Sequence, residues 1–191
     1  GKGDGAPSSR APPPPAVLPY AVAVLEEFLS GPVWDPPPEF VGETARELGE
    51  RAALERVVVE GVGALARAAG RDFARQPRML QAALCPLLDK LGSPSAAASA
   101  AAEAALASVC LHCGYGSLRA LVASNGDYVV DALCRQLRHL ELHPSAPHLF
   151  RAVLRRTGAA GDLLPLMLEP VRGALAPLAV SSRRGQGQHK A

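Results

Sequence analysis

Residues 125–144 read NGDYVVDALCRQLRHLELHP, and this stretch has the pattern of one amphipathic helix between two helix breakers. An Asn-Gly turn precedes the helix, and His143-Pro144 ends it. Asp131 lies four residues before Arg135, a spacing at which the two side chains can pair on the outer face. The inward face has five apolar residues at helical spacing: Val129, Val130, Leu133, Leu137 and Leu140. The stretch therefore predicts a helix over 127–140 with one buried face.

The same kind of pattern recurs on both sides of this helix. It predicts helices over 18–30, 40–69, 71–91, 94–111, 117–123, 146–156 and 160–180. Helix 71–91 is expected to kink at Pro77 and near Pro86, and Ser93-Pro94 is expected to start the Ala-rich helix that follows. On helix 40–69, the expected apolar face consists of Leu54, Val57, Val58, Val62 and Leu65.

The composition favours helices over strands. Hydrophobic residues make up 48% of the 191 residues, but aromatic residues make up only 4%, and alanine is abundant. Strands favour β-branched and aromatic side chains, so this composition disfavours a sheet-based core. Helix pairs that recur about every forty residues are typical of HEAT and armadillo repeats, and a closed helical bundle is the alternative.

We therefore predict an all-α fold, a HEAT/armadillo-like α-solenoid. The predicted division of the chain is a disordered Pro/Gly-rich segment at 1–15, helical repeats over 16–180, and a disordered tail at 181–191. Because the first residue is Gly1 rather than Met, we expect a fragment of a longer superhelix. Such a fragment is expected to expose apolar surface at its ends and to be poorly soluble alone.

Charge, hydropathy and cysteine content exclude several classes of protein. The net charge of +2 provides no large electrostatic field to attract polyanions. No window contains eighteen or more apolar residues without a charge or a proline, so the sequence predicts no transmembrane helix. Without a secretory signal, the four cysteines are read as reduced and intracellular. They offer one candidate zinc set, disfavoured by its spacing: Cys110, Cys113, Cys134, His139 and His143.

Catalytic and nucleic-acid motifs are also weak. The sequence has no nucleophile elbow, phosphate loop, dinucleotide fingerprint or HExxH motif, so it predicts neither an enzyme nor a cofactor. A stripe of basic residues is expected along adjacent helices: Arg135, Arg138, His139, Arg151, Arg155 and Arg156. Because no aromatic residues are interleaved and acidic residues dilute the charge, the stripe is read as a solvated face or a rim that meets an acidic protein.

Residues 125–144 also resemble a segment of a known family. They are similar to the first member of the Tel-two-interacting protein family, the long HEAT-repeat subunit of the Triple-T cochaperone complex. Residues 54–63, LERVVVEGVG, and 70–74, GRDFA, resemble the same family in the same order. The resemblance spans about 40–175, in which helical repeats of this length are expected.

The resemblance implies a non-enzymatic scaffold without cofactor or metal. Its implied partners are the Tel-two protein, the second Tel-two-interacting protein, phosphatidylinositol 3-kinase-related kinases, and the ninety-kilodalton heat-shock chaperone with its RuvB-like ATPase adaptor. Those kinases include the target-of-rapamycin and DNA-damage checkpoint kinases. The implied location is cytoplasmic, with the nucleus left open, and neither membrane nor nucleic acid is an expected partner. A generic HEAT-repeat adaptor is the alternative function, ahead of a nucleic-acid-binding helical repeat.

The candidate contact residues lie on the outward face of helix 127–140. That face is unusually specific for a chain so rich in alanine. We predict that four charged residues contact a partner or set the register between repeats: Asp127, Asp131, Arg135 and Arg138. Packing within the molecule is the alternative role for each of them.

Overall fold

A computed structural model describes residues 18–31, 33–34 and 44–185, with side chains described as far as residue 173. This part of the chain contains helices and no strand, which confirms the all-α class. The helices are α1 (Leu18–Ser30), α2 (Ala45–Ala69), α3 (Arg71–Arg75), α4 (Pro77–Leu91), α5 (Ala96–Cys113), α6 (Leu118–Ser124), α7 (Gly126–Arg138), α8 (Ala146–Arg156) and α9 (Ala160–Gly185).

Local capping determines where two of these helices begin. Thr44 forms a capping box with Glu47 at the start of α2: the Thr44 hydroxyl accepts from the Glu47 N–H at 3.3 Å, and the Thr44 N–H donates to Oε2 of Glu47 at 2.8 Å. The Thr44 N–H and the Thr44 hydroxyl both donate to the Glu47 carboxylate, and these two bonds lower the pKa of that carboxyl. At α5 the N-cap is Ser95, not Ser93. The Ser93 hydroxyl instead accepts from the Ser95 N–H at 3.2 Å, so it stabilises the preceding turn.

The segment predicted as helix 71–91 is divided into two helices. Gln76 has an extended backbone between α3 and α4, because the proline that follows disfavours a helical conformation at this position. Pro77 then occupies the first turn of α4, where the backbone N–H has no partner within the helix, so the missing N–H of proline costs no hydrogen bond. Pro86 lies inside α4, at one of the two kinks expected from the sequence.

The last helix is longer than expected. The backbone of α9 continues to Gly185, five residues into the segment 181–191 that was predicted to be disordered. The remaining residues, 186–191, and the predicted disordered segment 1–15 lie outside the described part of the chain.

The helices pack mainly on partners that lie two to four helices away in chain order. Helix α2 packs along α5, α4 contacts α5 and α8, and α7 packs on α9. A core of alanine, leucine and valine side chains runs through these contacts. Because these helices bury their apolar faces against one another, the described part has the packing of a helical-repeat fragment.

The predicted apolar face of α2 is partly wrong. Leu54 and Val57 are exposed, at 52% and 62% of their surface, whereas Val59 and Val62 are fully buried. Residues 57–59 are three consecutive valines and occupy different sides of the helix, so periodicity alone does not select the inward side. The neighbouring helices α1 and α5 make that selection.

Helix α5 is long and apolar enough to cross a membrane by length and composition, the one such helix among the described residues. In the structure, however, Ala102, Ala105 and Leu106 are buried in the core, and the helix contacts α2 and α4. Core helices of soluble proteins satisfy the same criterion. Part of the apolar surface of α5 is therefore used in packing within the molecule.

Candidate protein-interaction surface

Helix α7 separates its apolar and charged residues onto opposite faces. Its buried face is formed by Gly126, Val129, Val130, Ala132, Leu133, Cys134 and Leu137. This face packs against α8 and α9, and also reaches α4. The predicted inward residue Leu140 lies just beyond the helix end and is half-buried against the same core. The position of α7 is thus determined by its apolar side, which leaves the opposite side in solvent.

The outer face carries all four charged residues that the sequence singled out. We call Asp127, Asp131, Arg135 and Arg138 the α7 charged stripe. All four are exposed, and their spacing of four, four and three residues puts them in one row along the helix. Asp127 lies in the first turn and Arg138 in the last turn of α7. Each end of the stripe therefore has the charge that the helix dipole favours.

One ion pair holds the centre of the stripe. Nη2 of Arg135 lies 2.6 Å from Oδ2 of Asp131, as the four-residue spacing predicted. The side chains are 65% and 72% exposed, so the pair contributes little to stability. Asp127 and Arg138 have no ion-pair partner among the described residues. The stripe thus presents two free charges and one solvated pair to any partner.

Other side chains make the ion pairs that connect helices. Arg119 of α6 forms two hydrogen bonds, of 2.9 and 3.2 Å, with the Asp162 carboxylate of α9, which lower the pKa of Asp162. Arg156 of α8 lies 2.9 Å from Glu103 of α5. These pairs join residues far apart in sequence, so no local spacing identified them. No ion pair in the described part connects the α7 charged stripe to another helix.

Lys90 is the most buried charged side chain in the described part. Its Nζ atom lies 2.8 Å from Oε1 of Glu55 on α2 and donates to the Val33 carbonyl at 2.6 Å. It also lies 5.6 Å from the centre of the Trp34 ring, and Nε1 of Trp34 donates to the Phe28 carbonyl at 2.7 Å. Lys90 therefore connects α4, α2 and the turn after α1. No local sequence pattern around Lys90 predicts this role.

The four cysteines do not belong to a metal-binding cluster in the part of the chain that the structure describes. Among the described residues, no group of three or more His, Cys, Asp and Glu side chains is arranged to hold a metal ion. Burial raises the pKa of the Cys85 thiol to about 12 and that of Cys113 to about 11. It also raises the pKa values of Cys110 and Cys134. These thiols stay protonated near neutral pH, which disfavours both metal binding and nucleophilic attack.

The part of the chain that contains this surface is similar to a known protein family. Residues 84–175 match the model of TELO2-interacting protein 1. This match confirms the family resemblance found in the sequence. It includes all of α5 to α8, and therefore the whole α7 charged stripe.

Two relatives of the family are similar over a longer stretch. The mouse TELO2-interacting protein 1 homolog is 40% identical to the chain over 122 residues, and the human homolog is 39% identical over 122 residues. Each alignment covers 64% of this chain and 11% of the relative. The chain thus spans about 11% of the length of these relatives.

Proposed function

We propose that this chain acts as part of a non-enzymatic scaffold in the Triple-T cochaperone complex. The observation that carries the proposal is the match of residues 84–175 to TELO2-interacting protein 1. The names of both relatives identify the TELO2 protein as what they interact with. The helical-repeat packing supports the same role, because stacked helices present long surfaces to large partners.

The proposal includes further partners and a cellular role. The chain would assemble with TELO2 and the second Tel-two-interacting protein, and would help deliver newly made phosphatidylinositol 3-kinase-related kinases to the ninety-kilodalton heat-shock chaperone and its RuvB-like ATPase adaptor. Its loss would then lower the levels of the target-of-rapamycin and DNA-damage checkpoint kinases. This work would take place in the cytoplasm, with the nucleus as a second compartment. It requires no cofactor and no catalytic group.

The α7 charged stripe is the proposed contact surface for TELO2. The apolar side of helix α7 is covered by α8 and α9, so a partner contacts only the charged side. Asp127 and Arg138 are free to pair with a partner, and the Asp131–Arg135 pair can exchange its bonds at little cost because it is solvated. Contacts of this kind determine specificity and the rate of association more than affinity.

The test is co-purification of TELO2 with the tagged 191-residue chain and with its variant Arg135→Glu/Arg138→Glu. We expect the variant to retain less than about a tenth of the TELO2 captured by the unmodified chain, because each reversed charge opposes its former partner. Helix content, measured by circular dichroism, should stay unchanged, since both side chains are exposed.

The matched control is Arg67→Glu/Arg78→Glu, which makes the same change in net charge at exposed positions on α2 and α4. It should bind TELO2 normally. Equal capture by the stripe variant and the unmodified chain would reject the stripe as the contact. If the unmodified chain captures no TELO2, the generic HEAT-repeat adaptor becomes the better description.

A further inference from the structure

A basic cleft lies on the side of the molecule formed by α8 and the turn between α4 and α5. Its volume is about 350 Å³. From α8 it is lined by His148, Arg151, Arg155 and Arg156, and from the turn by Gly92, Ser93 and Pro94. We call this the α8 basic cleft. It lies within the segment that matches the family, and all its lining residues belong to the described part.

At one edge of the cleft, α8 packs closely on the end of α4. A Cβ atom on Gly92 would lie only 2.5 Å from the carbonyl oxygen of His148 and 3.1 Å from Cβ of Ala152. Only glycine permits this approach without a shift of the backbone. His148, Arg151 and Arg155 follow one another at spacings of three and four residues, so they form one row on α8. The close contact holds this row against the turn that leads into α5.

One of the three arginines stabilises the wall of the cleft. Nη1 of Arg156 donates to the Leu91 carbonyl at 2.6 Å and to the Ser99 hydroxyl, and its Nη2 donates to Oε2 of Glu103 at 2.9 Å. These bonds satisfy the carbonyl at the end of α4 and join α8 to α5. The one carboxylate that contacts a lining arginine, Glu103, is thus already engaged.

The other two arginines are available to a ligand. Arg151 and Arg155 are exposed and have no hydrogen-bond or ion-pair partner among the described residues. They lie one helical turn apart, and His148 lies on the same row. Two guanidinium groups in one concave site are suited to a compact anion with two negative charges.

We propose that the α8 basic cleft binds a phosphoserine or phosphothreonine side chain in a protein partner. Arg151 and Arg155 would donate hydrogen bonds to the phosphate oxygens, as arginine clusters do in other phosphopeptide sites. The adjacent start of α5 adds the positive end of a helix dipole. This inference concerns a different surface from the α7 charged stripe and does not depend on the TELO2 contact.

The arrangement favours a phosphopeptide over nucleic acid. A nucleic-acid surface needs basic groups along several successive phosphates. Here the free arginines converge on one cleft, whereas Asp127 and Asp131 interrupt the basic residues of α7. Duplex DNA is therefore the competing ligand to be included in the test.

The experiment measures binding of the 191-residue chain by fluorescence anisotropy. The probes are two degenerate peptide pools that differ only in a central phosphoserine or serine, and a labelled DNA duplex. We expect the phosphoserine pool to bind at least about tenfold more tightly than the serine pool, as charge-assisted hydrogen bonds to phosphate predict. The variant Arg151→Glu/Arg155→Glu should abolish this preference. Arg151→Lys/Arg155→Lys should retain part of it, because it keeps the charge and loses the bidentate geometry.

Arg67→Glu/Arg78→Glu serves as the matched control and should retain the full preference. Circular dichroism should show the same helix content in all variants, because the substituted side chains are exposed. Equal or absent binding of the two pools would overturn the proposal, and so would a preference that survives Arg151→Glu/Arg155→Glu. DNA binding that is lost in that variant, without a phosphoserine preference, would identify a nucleic-acid surface instead.

Discussion

Lys90 shows how much a single buried residue organises in this fold. The side chain is only 7% exposed, and its Glu55 partner is 16% exposed. A buried ion pair adds little net stability compared with apolar residues, because both charges lose their hydration. Removing only one partner is costly, since the remaining charge is buried without a counter-ion. Lys90 also donates to the Val33 carbonyl, so its loss affects the turn after α1 as well.

We predict that Lys90→Met lowers the free energy of unfolding by about 3 kcal/mol. The double variant Lys90→Met/Glu55→Leu should recover most of that loss, because it buries no unpaired carboxylate. Urea denaturation followed by circular dichroism measures both. The control is Arg56→Met, which breaks the exposed Arg56–Glu60 ion pair of 2.8 Å within α2. It should lower the free energy of unfolding by no more than about 0.5 kcal/mol. Similar losses for the two single variants would contradict the assigned role of burial.

At the scale of secondary-structure elements, α2 and α5 approach each other closely at Gly63. A Cβ atom on Gly63 would lie 2.9 Å from Cα of Ala105 and 3.2 Å from its Cβ. The Ser108 hydroxyl donates to the Gly63 carbonyl at 2.9 Å across the same contact. Small residues on both helices therefore permit a contact between backbones.

We predict that substitutions of two glycines in α2 have opposite effects. Gly63→Ala should destabilise the chain by about 1–2 kcal/mol, because the clash with the α5 backbone outweighs the helix propensity of alanine. Gly49→Ala should stabilise it by about 0.5–1 kcal/mol, because a Cβ atom there meets nothing within 4 Å. Thermal and urea unfolding of the two variants provide the comparison. Stabilisation by Gly63→Ala would mean that α2 and α5 can separate without cost.

At the scale of the whole molecule, α9 leaves one apolar face uncovered. Leu163 and Met167 are buried against the core, whereas Leu164 and Leu168 are 51% and 58% exposed on the other side. These two leucines lie one helical turn apart and form one patch. In helical-repeat proteins such a face is normally covered by a neighbouring unit, and an uncovered one promotes association.

We predict that the isolated chain self-associates through α9. Leu164→Glu/Leu168→Glu should make it mainly monomeric at concentrations where the unmodified chain forms larger species, because the charges must be desolvated on association. Light scattering coupled to size-exclusion chromatography measures the change. Leu111→Glu is the control, at a leucine that is 75% exposed on α5, and it should leave the association intact. A monomeric unmodified chain would refute this prediction.

Much of the local structure could be predicted from the sequence. The bounds of α1 and α8 and the Asp131–Arg135 pair all depend on residues at most a few positions apart. The exposure of the four residues of the α7 charged stripe on one face was likewise predicted from the sequence. At Pro77 the sequence predicted a kink, whereas the structure has two separate helices. The predicted start of α5 was wrong because two nearby serines, Ser93 and Ser95, are both good N-cap residues, and the helix begins after the second.

The all-α class, the order of the helices and the family resemblance follow from the sequence, because propensity, periodicity and helix breakers act over short distances along the chain. The packing of the helices determines which valine of residues 57–59 is buried, which carboxylate meets Lys90, and that Arg151 and Arg155 line one cleft. Burial and ion pairing depend on which surfaces meet in space. For α2, α4 and α8, that is set by how the helices stack, and the sequence of any one helix does not specify it.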